Sequence, residues 1–148
     1  RDLHSFPTRR SSDLNAAIVG HGMLDRYPNL KVGFLEFGAE WILYMVARLD
    51  HYLPIDRSQM PIKDEVPRQS IEEYAKSGRI FIAGEADDKM LPQEMELLGE
   101  NQILYSSDLP HGEGRHNAAQ EILGRGDITK TQKRKILYDN AVRFFGEP

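Results

Sequence analysis

Three apolar runs in this chain each end in an acid. Ile103-Leu104-Tyr105 passes through Ser106 and Ser107 to Asp108, with Leu109, Pro110 and His111 directly behind it. Leu30 to Leu35 runs into Glu36, and Arg79 to Gly84 runs into Glu85. Runs of this length, rich in β-branched and aromatic residues, suit strands buried on both faces of a parallel sheet. In α/β barrels the reactive groups sit where such strands meet the loops that follow them. A carboxylate at that point, with an imidazole three residues on, is a grouping suited to a metal site. Asp108 is therefore the first candidate for chemistry, and Glu36 and Glu85 are the next.

Those acids need a scaffold that brings strand ends together, and the intervening sequence supplies one. From Trp41 to Tyr52, the residues Ile42, Met45, Val46 and Leu49 make one helical stripe. A second helix is expected from Lys89 to Leu98, with Leu91, Met95 and Leu98 inward and Glu94 and Glu96 turned out. A third starts at Thr129, capped in a box with Gln132; it turns Ile136, Leu137, Ala141 and Phe144 inward and stops at Gly146. A short helix around Ser70 to Lys76 and a surface loop from Pro54 to Pro67 complete the reading. Strand and helix alternate, so the fold class is α/β, a parallel sheet with covering helices joined by right-handed crossovers. Whether the sheet closes is not legible from the order.

The start of the chain is set apart. Residues His4 to Leu14 resemble the conceptual translation of a sequencing adapter, so 1–14 are read as a disordered, non-native leader and 15–148 as the folded part. That leaves 134 of 148 residues. This is enough for one modest core and well short of the roughly 250 residues of a complete eight-fold barrel.

Composition narrows the class. With 40% hydrophobic and 28% charged residues, a folded protein is expected rather than a disordered one. A formal net charge of −4 argues against a nucleic-acid partner, because phosphate binding needs clustered cations. The single basic run, Lys130 to Lys135, falls on a helix as a solvated face. No apolar run approaches the roughly 20 residues of a membrane span, so no membrane partner is expected. The absence of cysteine excludes disulfides and thiolate metal sites and is compatible with a cytoplasmic setting.

From about Met23 to Phe145 the chain resembles the carboxy-terminal part of the amidohydrolase family 2 proteins. Four stretches carry the resemblance: Asp25 to Val32 leading into Phe34-Leu35-Glu36; Trp41 with Arg48-Leu49-Asp50; Tyr105 to His111; and Lys135 to Ala141. The resemblance implies a partial TIM barrel of about three βα units. It also implies a metal-dependent enzyme that either hydrolyses a C–N or ester bond through a metal-activated water or decarboxylates without oxidation. A small-molecule substrate follows from it, as does a divalent cation, zinc first, with manganese or iron as alternatives.

On that resemblance Asp108 is the metal-binding aspartate at the end of the last barrel strand, and it is also assigned a catalytic role as proton acceptor. Glu36 stands where many members carry a histidine; it is read as a general base, a substrate-orienting group or a loop anchor. Glu85 is read as substrate-binding, with a loop cap as the plainer alternative. His111 is read as substrate-binding or as orienting Asp108. His21, His51 and His116 have no partners at ligand spacing and are read as surface or packing residues. The family's His-x-His pair does not occur in this sequence. The chain alone is accordingly expected to be inactive, and its open sheet edges make an oligomer possible. Two other classes compete: a receiver-like phosphoacceptor module, suggested by an Asp at a strand end followed by Leu and Pro, and a non-catalytic α/β interaction domain.

Overall fold

The computed structural model describes residues 17–35, 38–59, 66–110, 112 and 114–147. Glu36, His111 and the leader 1–14 lie outside the described residues.

Three strands form one parallel sheet in the order β1-β2-β3: β1 Val32–Phe34, β2 Ile80–Gly84 and β3 Ile103–Tyr105. Their register sets Phe34 beside Ile82, Ile82 beside Ile103, and Gly84 beside Tyr105. All three therefore end on the same side of the sheet. The central strand is buried along its whole length, as a strand covered on both faces must be. A four-residue helix, α1 (Met23–Arg26), precedes β1. After β1 come α2 (Trp41–Gln59) and α3 (Ile71–Ala75), and after β2 comes α4 (Leu91–Leu98). After β3 come α5 (Ala118–Gly124), α6 (Lys130–Arg134), a π-helical turn (Lys135–Asp139) and α7 (Asn140–Phe145). The expected three strand–helix units are present.

Each face of the sheet buries different residues. On one face Ile80, Ile82 and Ile103 pack against helix residues such as Ile42, Leu91 and Ile136, all fully buried. On the other, Phe81, Ala83 and Leu104 meet Phe144, whose ring lies 4.9 Å from that of Phe81. Gly33 makes room for it: a Cβ there would stand 2.8 Å from the Phe144 ring. Each large apolar side chain so buried contributes about 1.5–3 kcal/mol.

The expected helix at Ser70, the capping box at Thr129 and the stop at Gly146 all hold. Ser70 caps α3 in a box with Glu73, and Thr129 caps α6 in a box with Gln132. Gly146, at φ 92°, ends α7. Asn140 is buried and donates to the carbonyls of Glu100 (2.9 Å) and Ile103 (2.8 Å), tying the last helix to the sheet. Trp41 is half-buried, edge-on to Phe34 at 5.3 Å.

Others do not. The helix expected to end at Tyr52 continues to Gln59 with Pro54 inside it. Leu53, 5% exposed, extends the stripe of Ile42, Val46 and Leu49 by one turn, and that burial outweighs the hydrogen bond Pro54 cannot make. The stretch 54–59 of the expected loop is thus helical; 60–65 lies outside the described residues. Glu94, expected to face water, is 0% exposed. With α4 starting at Leu91, Glu94 falls at the i+3 position of the stripe Leu91, Met95, Leu98, so its spacing, not its charge, decided its side. Helix α5 was not anticipated, because only Ala118 and Ile122 anchor it and two residues make no stripe.

Gln102 is an unheralded tie in this framework. It is 3% exposed, and its side-chain nitrogen donates to Ala75 O (2.5 Å) and Ile80 O (2.7 Å), joining α3 to β2. Replacement by methionine keeps the volume but leaves two buried carbonyls without a donor. The expected loss is about 2–4 kcal/mol, read from urea unfolding midpoints.

Candidate active site at the carboxyl ends of the strands

The loop after β3 is shaped around its own hydroxyl and carboxylate. Ser106 Oγ donates to Asp108 Oδ1 at 2.7 Å and accepts from the Asp108 backbone N–H at 3.3 Å. Asp108 adopts a left-handed backbone, φ 52°, which Asp tolerates better than most residues because its short side chain bonds locally. No hydrogen bond to its other oxygen is seen among the described residues, and the residue is half-buried. A little further on, the Arg115 N–H donates to Ser107 O at 2.8 Å and draws the loop back over the strand end.

The loop after β2 faces it. Glu85, Ser106, Ser107, Asp108 and Arg115 line a cavity of about 210 Å³. Glu85 also borders a second cavity, of about 360 Å³, with Gly38, Glu40, Asp87, Asp88 and Lys89. Thus Asp108 and Glu85 are brought to one site. Whether Glu36 and His111 join them lies outside the described residues.

Arg115 links the two loops. Its guanidinium pairs with Asp87 at 2.5 Å and with Glu121, at the start of α5, at 2.6 Å. The hydrogen bond from Arg115 holds the Asp87 carboxyl below its ordinary range. Glu85 moves the other way. Although the residue as a whole is exposed, its carboxyl is held above the usual range, first by partial loss of water and then by the charges of Asp108, Asp87 and Asp88, against the opposing pull of Arg115. Two neighbouring carboxyls with displaced proton affinities mark a functional-site candidate. Arg115 gave no sequence signal, since it follows the glycine-rich stretch 112–114 without a periodic or motif context.

A divalent cation is what such a cluster of oxygens would attract. Among the described residues no group of three or more His, Cys, Asp or Glu side chains stands close enough to hold one. Asp108 nevertheless fits as a single ligand: a carboxylate at the strand end, one oxygen oriented by Ser106, the group lining a cavity. His21, His51 and His116 are exposed, and His51 stacks edge-on with Tyr52 at 5.1 Å. They do not enter the site. No helix among the described residues is long and apolar enough to cross a membrane.

This geometry can be set beside known proteins. The model of the amidohydrolase family matches residues 14–146. The chain belongs to that family. As an amidohydrolase it is 24% identical over 145 residues to 2-amino-3-carboxymuconate-6-semialdehyde decarboxylase of Dictyostelium discoideum, a match covering 97% of this chain and 38% of that protein. Its fold superposes with a TM-score of 0.79 on an amidohydrolase from Mycobacterium avium subsp. paratuberculosis K-10, at 26% identity, covering 95% of this chain and 34% of that one. The same TM-score relates it to 5-carboxyvanillate decarboxylase from Novosphingobium aromaticivorans DSM 12444, solved with manganese and 4-hydroxy-3-methoxy-5-nitrobenzoic acid. That match is 20% identical and covers 95% of this chain and 40% of that one. The neighbours are TIM-barrel proteins, and this amidohydrolase chain supplies three βα units of such a barrel. Family membership leaves the phosphoacceptor and interaction-domain readings without support.

Proposed function

We propose that the protein carrying this chain is a divalent-metal-dependent enzyme that releases CO2 from a small carboxylic acid. The observation that carries the reading is the shared cavity: Asp108 and Glu85, from the ends of adjacent strands, line it together with Arg115 in a chain of the amidohydrolase family. The relatives named as decarboxylases point to loss of CO2 rather than to hydrolysis.

In this reading Asp108 is the metal ligand, and manganese or zinc is the ion. Such an ion, when bound, orients a substrate carboxylate and offsets developing negative charge. Ser106 fixes the direction of the Asp108 carboxylate. Glu85, whose carboxyl is held above the usual range by partial loss of water and by the charges of Asp108, Asp87 and Asp88, lines the same cavity and meets the substrate there. Arg115, held by Asp87 and Glu121, keeps the two loops in register and limits how far Glu85 and Asp108 move apart. Glu36 is assigned a catalytic role and His111 a role in binding the substrate, both from their places after β1 and in the loop after β3.

The test uses the enzyme that carries this chain together with the remaining barrel region that its relatives span, loaded with Mn²⁺ or Zn²⁺ and offered aromatic and unsaturated carboxylic acids. CO2 release matched mole for mole by the decarboxylated product is the expected result. Turnover of esters or amides with no CO2 would replace this reading by a hydrolase.

A further inference from the structure

Beneath the acidic loop lie two carboxyl groups that the site does not use. Glu94, on the first turn of α4, is 0% exposed, and among the described residues no N–H or O–H of another group reaches either of its oxygens. Asp88, in the loop before α4, is 6% exposed; Oδ1 accepts from the Met90 N–H at 2.8 Å, while Oδ2 is buried and meets no N–H donor among the described residues. Asp88 acts on Glu94 both as a neighbouring charge and as a side-chain hydrogen-bond partner. Two ionised carboxylates there would leave three buried oxygens without donors and two like charges acting on each other out of water, which strongly disfavours the doubly charged form. A single proton relieves it: Glu94 donates, and Asp88 Oδ2 accepts.

The place of this pair matters. Asp88 belongs to the turn between Glu85 and Met90, which carries Glu85 and Asp87 into the two cavities. Arg125 holds that turn from the side, donating to Ala86 O (2.9 Å) and Asp88 O (2.6 Å) while pairing with Asp127. Arg115 holds it from the other side through Asp87. Glu40, before α2, and Arg125 are the other charged groups that act on Glu94, the first opposing its ionisation and the second favouring it.

We propose that Asp88 and Glu94 share one proton as a latch that keeps the 85–90 turn closed over the site, and that loss of this proton in alkaline solution releases the turn. The inference stands on the buried pair and not on the decarboxylase reading, so either can fail alone. Opening lets Glu94 ionise in water, so the open form gains about tenfold over the closed one for each pH unit until the pair has titrated. Burial, and then the charge of Asp88, push the Glu94 proton affinity up to about 9, which puts this rise across neutral and mildly alkaline pH.

Amide hydrogen exchange by mass spectrometry on the full chain between pH 6.5 and 9.5, corrected for intrinsic exchange rates, reads this directly. Peptides covering 85–90 should lose protection by about tenfold per pH unit, while β2 (Ile80–Gly84) stays protected. In Glu94→Gln the amide donates to Asp88 at every pH, so the slope should vanish. Asp88→Asn provides the reciprocal donor and should flatten it too, which keeps the test decisive if one variant fails to fold. An equal slope in wild type and variant, no slope in wild type, or parallel loss across Ile80–Gly84 would each overturn the latch.

Discussion

Replacing Glu94 with glutamine is expected to raise the melting temperature at pH 8 by roughly 10–15 °C and to leave it nearly unchanged at pH 5. The sign follows from which state holds the proton. Native Glu94 retains it up to about pH 9, whereas in the unfolded chain it is lost near the ordinary value of 4.5. Between those limits the folded form binds one more proton than the unfolded form, so stability falls as pH rises from about 4.5 to about 9. Keeping Glu94 neutral at pH 8 costs on the order of 3–5 kcal/mol, at about 1.4 kcal/mol per pH unit. Glutamine carries no proton to retain, matches the shape of the protonated acid, and has similar helix propensity. Below pH 4.5 the wild-type acid is protonated in both states, and the advantage disappears. Thermal scans across pH 5 to 9 decide the matter: two melting curves that run parallel over the whole range would show that Glu94 is not the buried proton holder. The same burial that makes the substitution favourable for folding is what the latch requires, so stability and pH control oppose each other at this residue.

Why Glu94 was misplaced from sequence shows how far patterning reaches. Its neighbours Leu91, Met95 and Leu98 were read correctly as the buried side of a helix, and Glu94 shares their stripe by spacing. Charge argues for the solvent side at such a position, which is right for most glutamates because an unpaired buried carboxylate is so costly. Here the spacing prevails over that rule, with Asp88 beside the buried acid, and no linear pattern announces a shared proton. Pro54 is the same lesson with the opposite residue. A helix breaker suggested a loop, yet the continued apolar stripe to Leu53 decided the structure. The capping box at Thr129, by contrast, was legible because it is complete within four residues and satisfies its own backbone donors.

The strand ends were legible for a related reason. A parallel strand buried on both faces must be apolar throughout, so its end is marked by the first acid. That reasoning placed Asp108 and Glu85 on the same side of the sheet, where they line one cavity. What it missed is the group between them. Arg115 reaches Asp87 and Glu121, residues 28 and 6 positions away, and such a bridge exists only once the loops after β2 and β3 have folded beside each other. Gln102 and Asn140 belong to this class as well. Both are polar residues that bond backbone carbonyls of other elements, contacts set by packing and not by period. A cation site is the larger gap: no group of three or more His, Cys, Asp or Glu side chains comes together among the described residues, and the chain spans 38% of the Dictyostelium decarboxylase it matches.

Asp108→Asn is the substitution that separates chemistry from folding at this site. Asparagine keeps the side-chain length, still accepts from Ser106 Oγ through its carbonyl, and tolerates the left-handed backbone at φ 52°. The loop after β3 should therefore survive, and the melting temperature of the enzyme should move by no more than a few degrees. What disappears is the negative charge. If Asp108 helps hold a divalent cation, kcat/KM in the metal-loaded enzyme should fall by roughly a thousandfold, the several kcal/mol that cation polarisation supplies. Metal content measured on the purified variant should drop with it. Glu85 gives an internal check, because the charge of Asp108 is among the causes that keep its proton bound. In the variant its affinity for that proton should decrease, and any pH limb in the residual activity that reports Glu85 should shift to lower pH. Activity within tenfold of wild type, with metal retained, would remove Asp108 from the metal shell and leave Ser106 and Asp108 as a turn whose only work is to shape the loop.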